Sequence, residues 1–159
     1  MNPFWQAADF IRELRRKLRF GTLSRAPLRL LRFDLRGQTL ACDWMTRPAD
    51  AWDADLRRAV SDRNESFQAL ADAMEIRELV FDALPEVERA ILRAFRKPAR
   101  EPPELIIAGS IHRDDPLVHK PASLVMRAKL SGFRFSLDGN RLEAMRSEIA
   151  EMSFCEEFS

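Results

Sequence analysis

The side chains best equipped for chemistry sit in one short stretch: Ser110, His112, Arg113, Asp114, Asp115 and His119. If the β-rich run through Ile106 continues as a strand, Ser110, His112 and Asp114 share one face, each about 6.5–7 Å from the next. That order is nucleophile, imidazole, carboxylate, the set a hydrolase uses. The same stretch offers His112, Asp114 or Asp115, and His119 as ligands for zinc or a similar ion, provided the chain folds back at Pro116. Neither pattern is specific. Side chains two apart on a strand stand parallel, whereas a nucleophile and its base usually meet from different elements. The expectation is therefore a polar loop following a strand, with no catalysis, no metal and no cofactor. A nuclease strand would need an acid two positions before Lys129, and Arg127 stands there.

Other chemistries have few residues to draw on. The five glycines, Gly21, Gly37, Gly109, Gly132 and Gly139, frame no phosphate-cradling loop, and the chain has no tyrosine. Cys42 and Cys155 lie far apart without zinc or redox spacing, which fits reduced thiols, with Cys42 packed as a small hydrophobe.

Binding is the stronger theme. Arginine outnumbers lysine 22 to 4. Arginine's planar fork suits both structural ion pairs and recognition of carboxylate or phosphate. The overall charge of +1 hides alternating blocks: +6 over residues 1–36, −6 over 37–92, +5 over 93–135 and −4 over 136–159. Opposite blocks in one chain are expected mainly to neutralise one another. The candidate contact surface is Trp5 with Arg12, Arg15, Arg16, Arg19 and Arg25, joined by the aromatic tail around Phe154 and Phe158, because aromatics and arginine carry interface energy. The expected function is non-catalytic binding of a protein partner or of a second copy. The alternative is that the same basic helix meets nucleic-acid phosphates or an anionic membrane surface. A DNA-reading role for Pro85 to Lys97 is disfavoured, since Glu86 and Glu88 would meet phosphates first.

These residues must be placed by elements that the periodicity predicts. Asn2 and Pro3 open an amphipathic helix to about Arg19, with Phe4, Ala7, Ala8, Ile11, Leu14 and Leu18 on its apolar side. Leu28 to Leu35 and Leu40 to Trp44 alternate as two strands around a turn at Arg36, Gly37 and Gln38. Helical spacing then runs from Ala51 to Lys97. A capping box at Asp62 and Glu65 suggests a boundary near Ser61, with one long helix as the alternative, and a further helix begins at Pro85. Leu105 to His112, Ser123 to Leu130 and Phe133 to Leu137 read as strands. A helix from Asn140 follows, in competition with a short strand from Arg141 paired through the Asp138 to Asn140 turn.

The order of helix, hairpin, helices, strands and helix predicts an α+β fold with an antiparallel sheet, formed as one domain over residues 1–159. At 159 residues and 46% apolar composition the chain can build a core without disulfides or metal. No apolar run approaches a membrane span or a secretory signal, so a cytoplasmic protein is expected.

Overall fold

The computed structural model describes residues 3–17, 28–47, 57–97, 101–117, 120 and 123–145. Helix α1 (Pro3–Lys17) is followed by strands β1 (Arg29–Arg36) and β2 (Thr39–Met45), helix α2 (Arg58–Ala83), strands β3 (Arg89–Arg96) and β4 (Glu104–His112), and helix α3 (Leu124–Leu130). Three short strands close the order: β5 (Phe133–Arg134), β6 (Leu137–Asp138) and β7 (Arg141–Leu142). The architecture is α+β. A five-stranded sheet runs β1-β2-β3-β4-β5, and β6 and β7 form a small second sheet.

The two-residue turn at Gly37 and Gln38 sets the first hairpin, with Gly37 at φ 59 as such tight turns demand. Alternation then sends Phe33, Leu35, Leu40, Cys42 and Trp44 to one side. That side is the core: Leu40, Cys42 and Trp44 are fully buried, and burial pushes the Cys42 thiol pKa up, which keeps it protonated.

Several elements depart from the sequence reading, and the single strand expected over Phe133 to Leu137 divides into β5 and β6, which belong to different sheets. Arg89–Arg96 is a strand rather than the helix expected from Pro85 to Lys97. Its apolar spacing fits either period, and pairing decides the matter: β3 lies between β2 and β4 and is hydrogen-bonded on both edges. The β2–β3 pairing is parallel, so the sheet is mixed where an antiparallel one was expected. Parallel neighbours need a crossover, and α2 supplies it. That helix runs unbroken from Arg58 to Ala83, about 39 Å long; it starts after Arg57, close to the boundary expected near Ser61, but Asp62 and Glu65 lie inside it and form no capping box.

Leu124–Leu130 is helical where a strand was expected. Ser123 caps it, its hydroxyl accepting the Met126 N–H. Finally, Arg141–Leu142 pairs with Leu137–Asp138 through a turn holding Gly139 at φ 62, the competing reading, so no helix begins at Asn140 among the described residues.

All three helices lie on the core side of the sheet. Phe10 and Leu14 of α1 are buried, with the Phe10 ring 5.0 Å from that of Phe33. Leu70, Ala73, Ile76 and Val80 give α2 its buried stripe, and Ala128 of α3 completes the layer beside Phe133. The N-terminal half of α2 is tied to the β6–β7 turn, where the Ser66 hydroxyl donates to the Asn140 carbonyl at 2.7 Å. Gly132 joins α3 to β5 at φ 106, and a Cβ there would sit 3.0 Å from Ile111 Cγ1. Gly132→Ala is therefore expected to lower stability by about 1–3 kcal/mol, read as a shifted urea midpoint.

Candidate functional site

The register of the sheet sorts every strand residue onto one of two faces, since cross-strand partners point the same way and alternate residues share a side. The inner face is apolar except at one end, where Arg96 pairs with Glu104 at 3.0 Å and donates to the Leu142 carbonyl at 2.9 Å. On the outer face, the row Arg36, Thr39, Arg89 and His112 crosses β1 to β4, followed by Asp34, Ala41, Ile91 and Ser110. The third row is Arg32, Asp43, Arg93, Ala108 and Arg134, and Arg29, Met45, Phe95 and Leu105 make the fourth. Six arginines and two aspartates thus occupy one face of the sheet.

Long side chains shape that face. Ala41 is fully buried and Ile91 is 4% exposed, although no helix among the described residues covers them. Arg93 makes a bidentate pair with Asp43 on the adjacent strand and lies 5.3 Å over the Phe95 ring. Asp34 bridges Arg32 at 3.1 Å and Arg36 at 3.2 Å. Phe95 and Met145 pack against Leu105 and Ala108 at one end, the Met145 amide donating to the Leu105 carbonyl at 2.7 Å.

The stretch singled out for chemistry is used structurally. Ser110 Oγ accepts Nε and Nη2 of Arg89 at 2.9 and 2.8 Å. Ser110 and His112 do share the exposed outer side of β4. The Asp115 carboxylate, however, accepts the His112 backbone N–H at 2.9 Å and so closes the turn after β4 rather than orienting the imidazole. Asp114 is exposed in that turn, and His119 lies outside the described residues. Arg77 of α2 donates to the Asp115 and Pro116 carbonyls, holding the turn against the helix layer. Among the described residues no group of three or more His, Cys, Asp or Glu is placed to hold a metal ion.

On α1, Arg12, Arg15 and Arg16 face solvent on the side opposite Phe10 and Leu14. Arg12 pairs with Asp9 at 3.3 Å and Arg16 with Glu13 at 2.9 Å, with both guanidinium side chains more than two-thirds exposed. Exposed pairs of this kind contribute about 0–1 kcal/mol. Trp5 is in the first turn of α1. Its side chain, together with Arg19, Arg25 and the segment around Phe154 and Phe158, lies outside the described part of the chain.

No protein-family model, curated protein or solved structure matches this chain. The functional reading therefore stands on these surfaces alone. The blocks of charge are used unequally. Those over 37–92 and 93–135 meet at Asp43–Arg93 and, more loosely, at Glu88–Arg113, whereas among the described residues Asp9–Arg12, Glu13–Arg16 and Asp34 with Arg32 and Arg36 pair within the first block. Sequence reasoning missed Arg89, Arg93 and Arg134 as members of one surface. The signal is the Arg89, Ile91, Arg93, Phe95 alternation, which competes with the helical spacing of Ala90, Ile91, Ala94 and Phe95.

Proposed function

We propose that this chain is a non-catalytic binding protein that engages a protein partner through the solvent face of α1. The observation that supports this is the row of Arg12, Arg15 and Arg16, displayed opposite the buried Phe10 and Leu14, with Arg12 and Arg16 in exposed pairs with Asp9 and Glu13 of the same helix. Such pairs open easily when a carboxylate-bearing surface approaches, and arginine is among the residues that dominate interface energy. The partner is accordingly acidic where it meets α1, and no cofactor takes part. A reducing compartment such as the cytoplasm suits the buried free thiol of Cys42.

Site-directed photo-crosslinking tests this. A crosslinker at Arg15 is expected to give one discrete protein adduct in cells, lost when Arg12→Glu and Arg16→Glu are combined. A crosslinker at Glu78, exposed on α2, is expected to give none. Equal adducts from both positions, or none from Arg15, would count against the proposal. An adduct of twice the chain's mass would identify the partner as a second copy.

A further inference from the structure

The outer face of the sheet is covered at its centre. All three helices lie on the other side, and yet Ala41 is fully buried, Ile91 is 4% exposed, and Ala108 and Leu105 are each 5% exposed. The arginines around them are occupied as well. Beyond Asp34, Asp43, Ser110 and the Phe95 ring, Arg32, Arg36, Arg89 and Arg93 each have a further partner. The cover must therefore set apolar groups on Ala41 and Ile91 and bring acceptors or rings to guanidinium groups around them.

Two stretches outside the described residues combine acids with apolar side chains. Residues 48–56 hold Asp50, Asp53 and Asp55 with Trp52. The chain enters them from Arg47, whose side chain is bonded to Asp72 of α2, and leaves them at Arg57, ahead of the same helix, so both ends belong to the helix layer. Residues 146–159 hold Glu148, Glu151, Glu156 and Glu157 against Arg146, together with Ile149, Met152, Phe154 and Phe158. Their point of entry is on the other side of the sheet. Met145 packs against Leu105 and Ala108, as Phe95 does, and its amide donates to the Leu105 carbonyl at 2.7 Å.

Reach and charge agree with that start. From Leu105, Ala41 is two strands across and four residues along, about 16 Å away. Even at the 1.5 Å per residue of a helix, residues 146–159 span about 21 Å. Ile149 and Met152 follow Met145 at helical spacing, each preceded by a glutamate.

We propose that residues 146–159 dock on the outer face of the sheet, with their apolar side chains over Ala41 and Ile91 and their glutamates among Arg32, Arg36, Arg89 and Arg93. The face is then an internal docking site for an acidic, apolar segment of the chain itself. An outside ligand of the same chemistry reaches these arginines only by displacing the segment.

The test is photo-crosslinking within the purified full chain, from a benzophenone side chain at Met152 and, in a second variant, at Phe158, with adducts mapped by mass spectrometry. The expected product has the mass of one chain and joins either position to the β2 or β3 peptides that hold Ala41 and Ile91. Glu148→Arg, Glu151→Arg, Glu156→Arg and Glu157→Arg combined are expected to lower its yield at least about tenfold, because four attractions become repulsions. Adducts of twice the chain's mass would overturn the proposal by placing a second copy on the face. So would adducts confined to α1 or α2, none from either position, or a yield indifferent to the charge reversals. A crosslinker at Trp52 that reaches Ala41 or Ile91 where the other two do not would also overturn it, assigning the cover to residues 48–56. None of these outcomes bears on partner adducts from Arg15.

Discussion

Replacing Arg47 with methionine is expected to lower folding stability by about 3–5 kcal/mol above neutral pH, the cost of leaving a buried charge without its partner. Arg47 follows β2 with its side chain fully buried, and its Nε donates to Asp72 Oδ2 at 2.9 Å. Gln68, one turn earlier on α2, donates to the other carboxylate oxygen at 2.9 Å. Methionine keeps the apolar stem and removes only the charge and its donors, so the effect isolates electrostatics from packing.

Burial pushes the Asp72 carboxyl from its ordinary value up to about 6; Arg47 and Gln68 oppose that rise, and Glu75 adds slightly to it. A carboxyl whose folded pKa is raised binds its proton more tightly in the folded state. Its contribution to stability is thus complete below the unfolded value near 3.8 and is lost as pH rises through about 6. Without Arg47 the pKa rises further, so the loss extends to higher pH. The difference between wild type and Arg47→Met is therefore expected to be small near pH 4, where both carboxyls are protonated, and to grow above about pH 6. Urea midpoints across that range measure it. A difference independent of pH would show that Arg47 acts through packing alone.

Arg113→Ala is expected to cost about 3 kcal/mol, because one guanidinium serves three carbonyls and hydrogen bonds from a charged donor contribute about 1.5–3 kcal/mol each without adding fully. Its Nε, Nη1 and Nη2 donate to the carbonyls of Val87, Phe81 and Leu84 at 2.8, 2.9 and 2.7 Å, and it lies 5.2 Å over the Phe81 ring. Phe81 and Leu84 are at the C-terminal end of α2, where carbonyls lack helical partners and the helix dipole favours a cation. Arg113 thereby joins the turn after β4 to the end of the crossover helix and the approach to β3. Lysine retains the charge but not the fork, so Arg113→Lys is expected to recover less than half of the loss. A substitution cost under about 1 kcal/mol would remove Arg113 from this role.

The parts of the fold that were legible are those whose pattern is enforced locally. Apolar spacing and Pro3 specify α1, and alternation around Gly37 specifies the first hairpin. The β3 region was opaque because Ile91 stands between Arg89 and Arg93 on the outer side, and Ala90, Ile91, Ala94 and Phe95 satisfy helical spacing as well as strand alternation. Only pairing with β2 and β4, a property of distant residues, resolves it. Around α3 the apolar content of Leu124 to Met126 suggested a strand, while the deciding feature was the Ser123 cap.

The same ambiguity hid the outer face. Read as a helix, Arg89 and Arg93 point along one side of a rod. As a strand they join Arg32, Arg36 and Arg134 across four neighbours in space. Ser110 and His112, in contrast, were correctly located at the end of a strand, and their hydrogen bonds to Arg89 and Asp115 show that work there which sequence spacing does not reveal.

The most direct measurement of how this chain acts is photo-crosslinking in cells from Arg15 on the solvent face of α1, with the exposed Glu78 of α2 as the control. One discrete protein adduct from Arg15, lost when Arg12→Glu and Arg16→Glu are combined and absent from Glu78, is expected if an acidic protein partner binds there. Equal adducts from both positions, or none from Arg15, would contradict it.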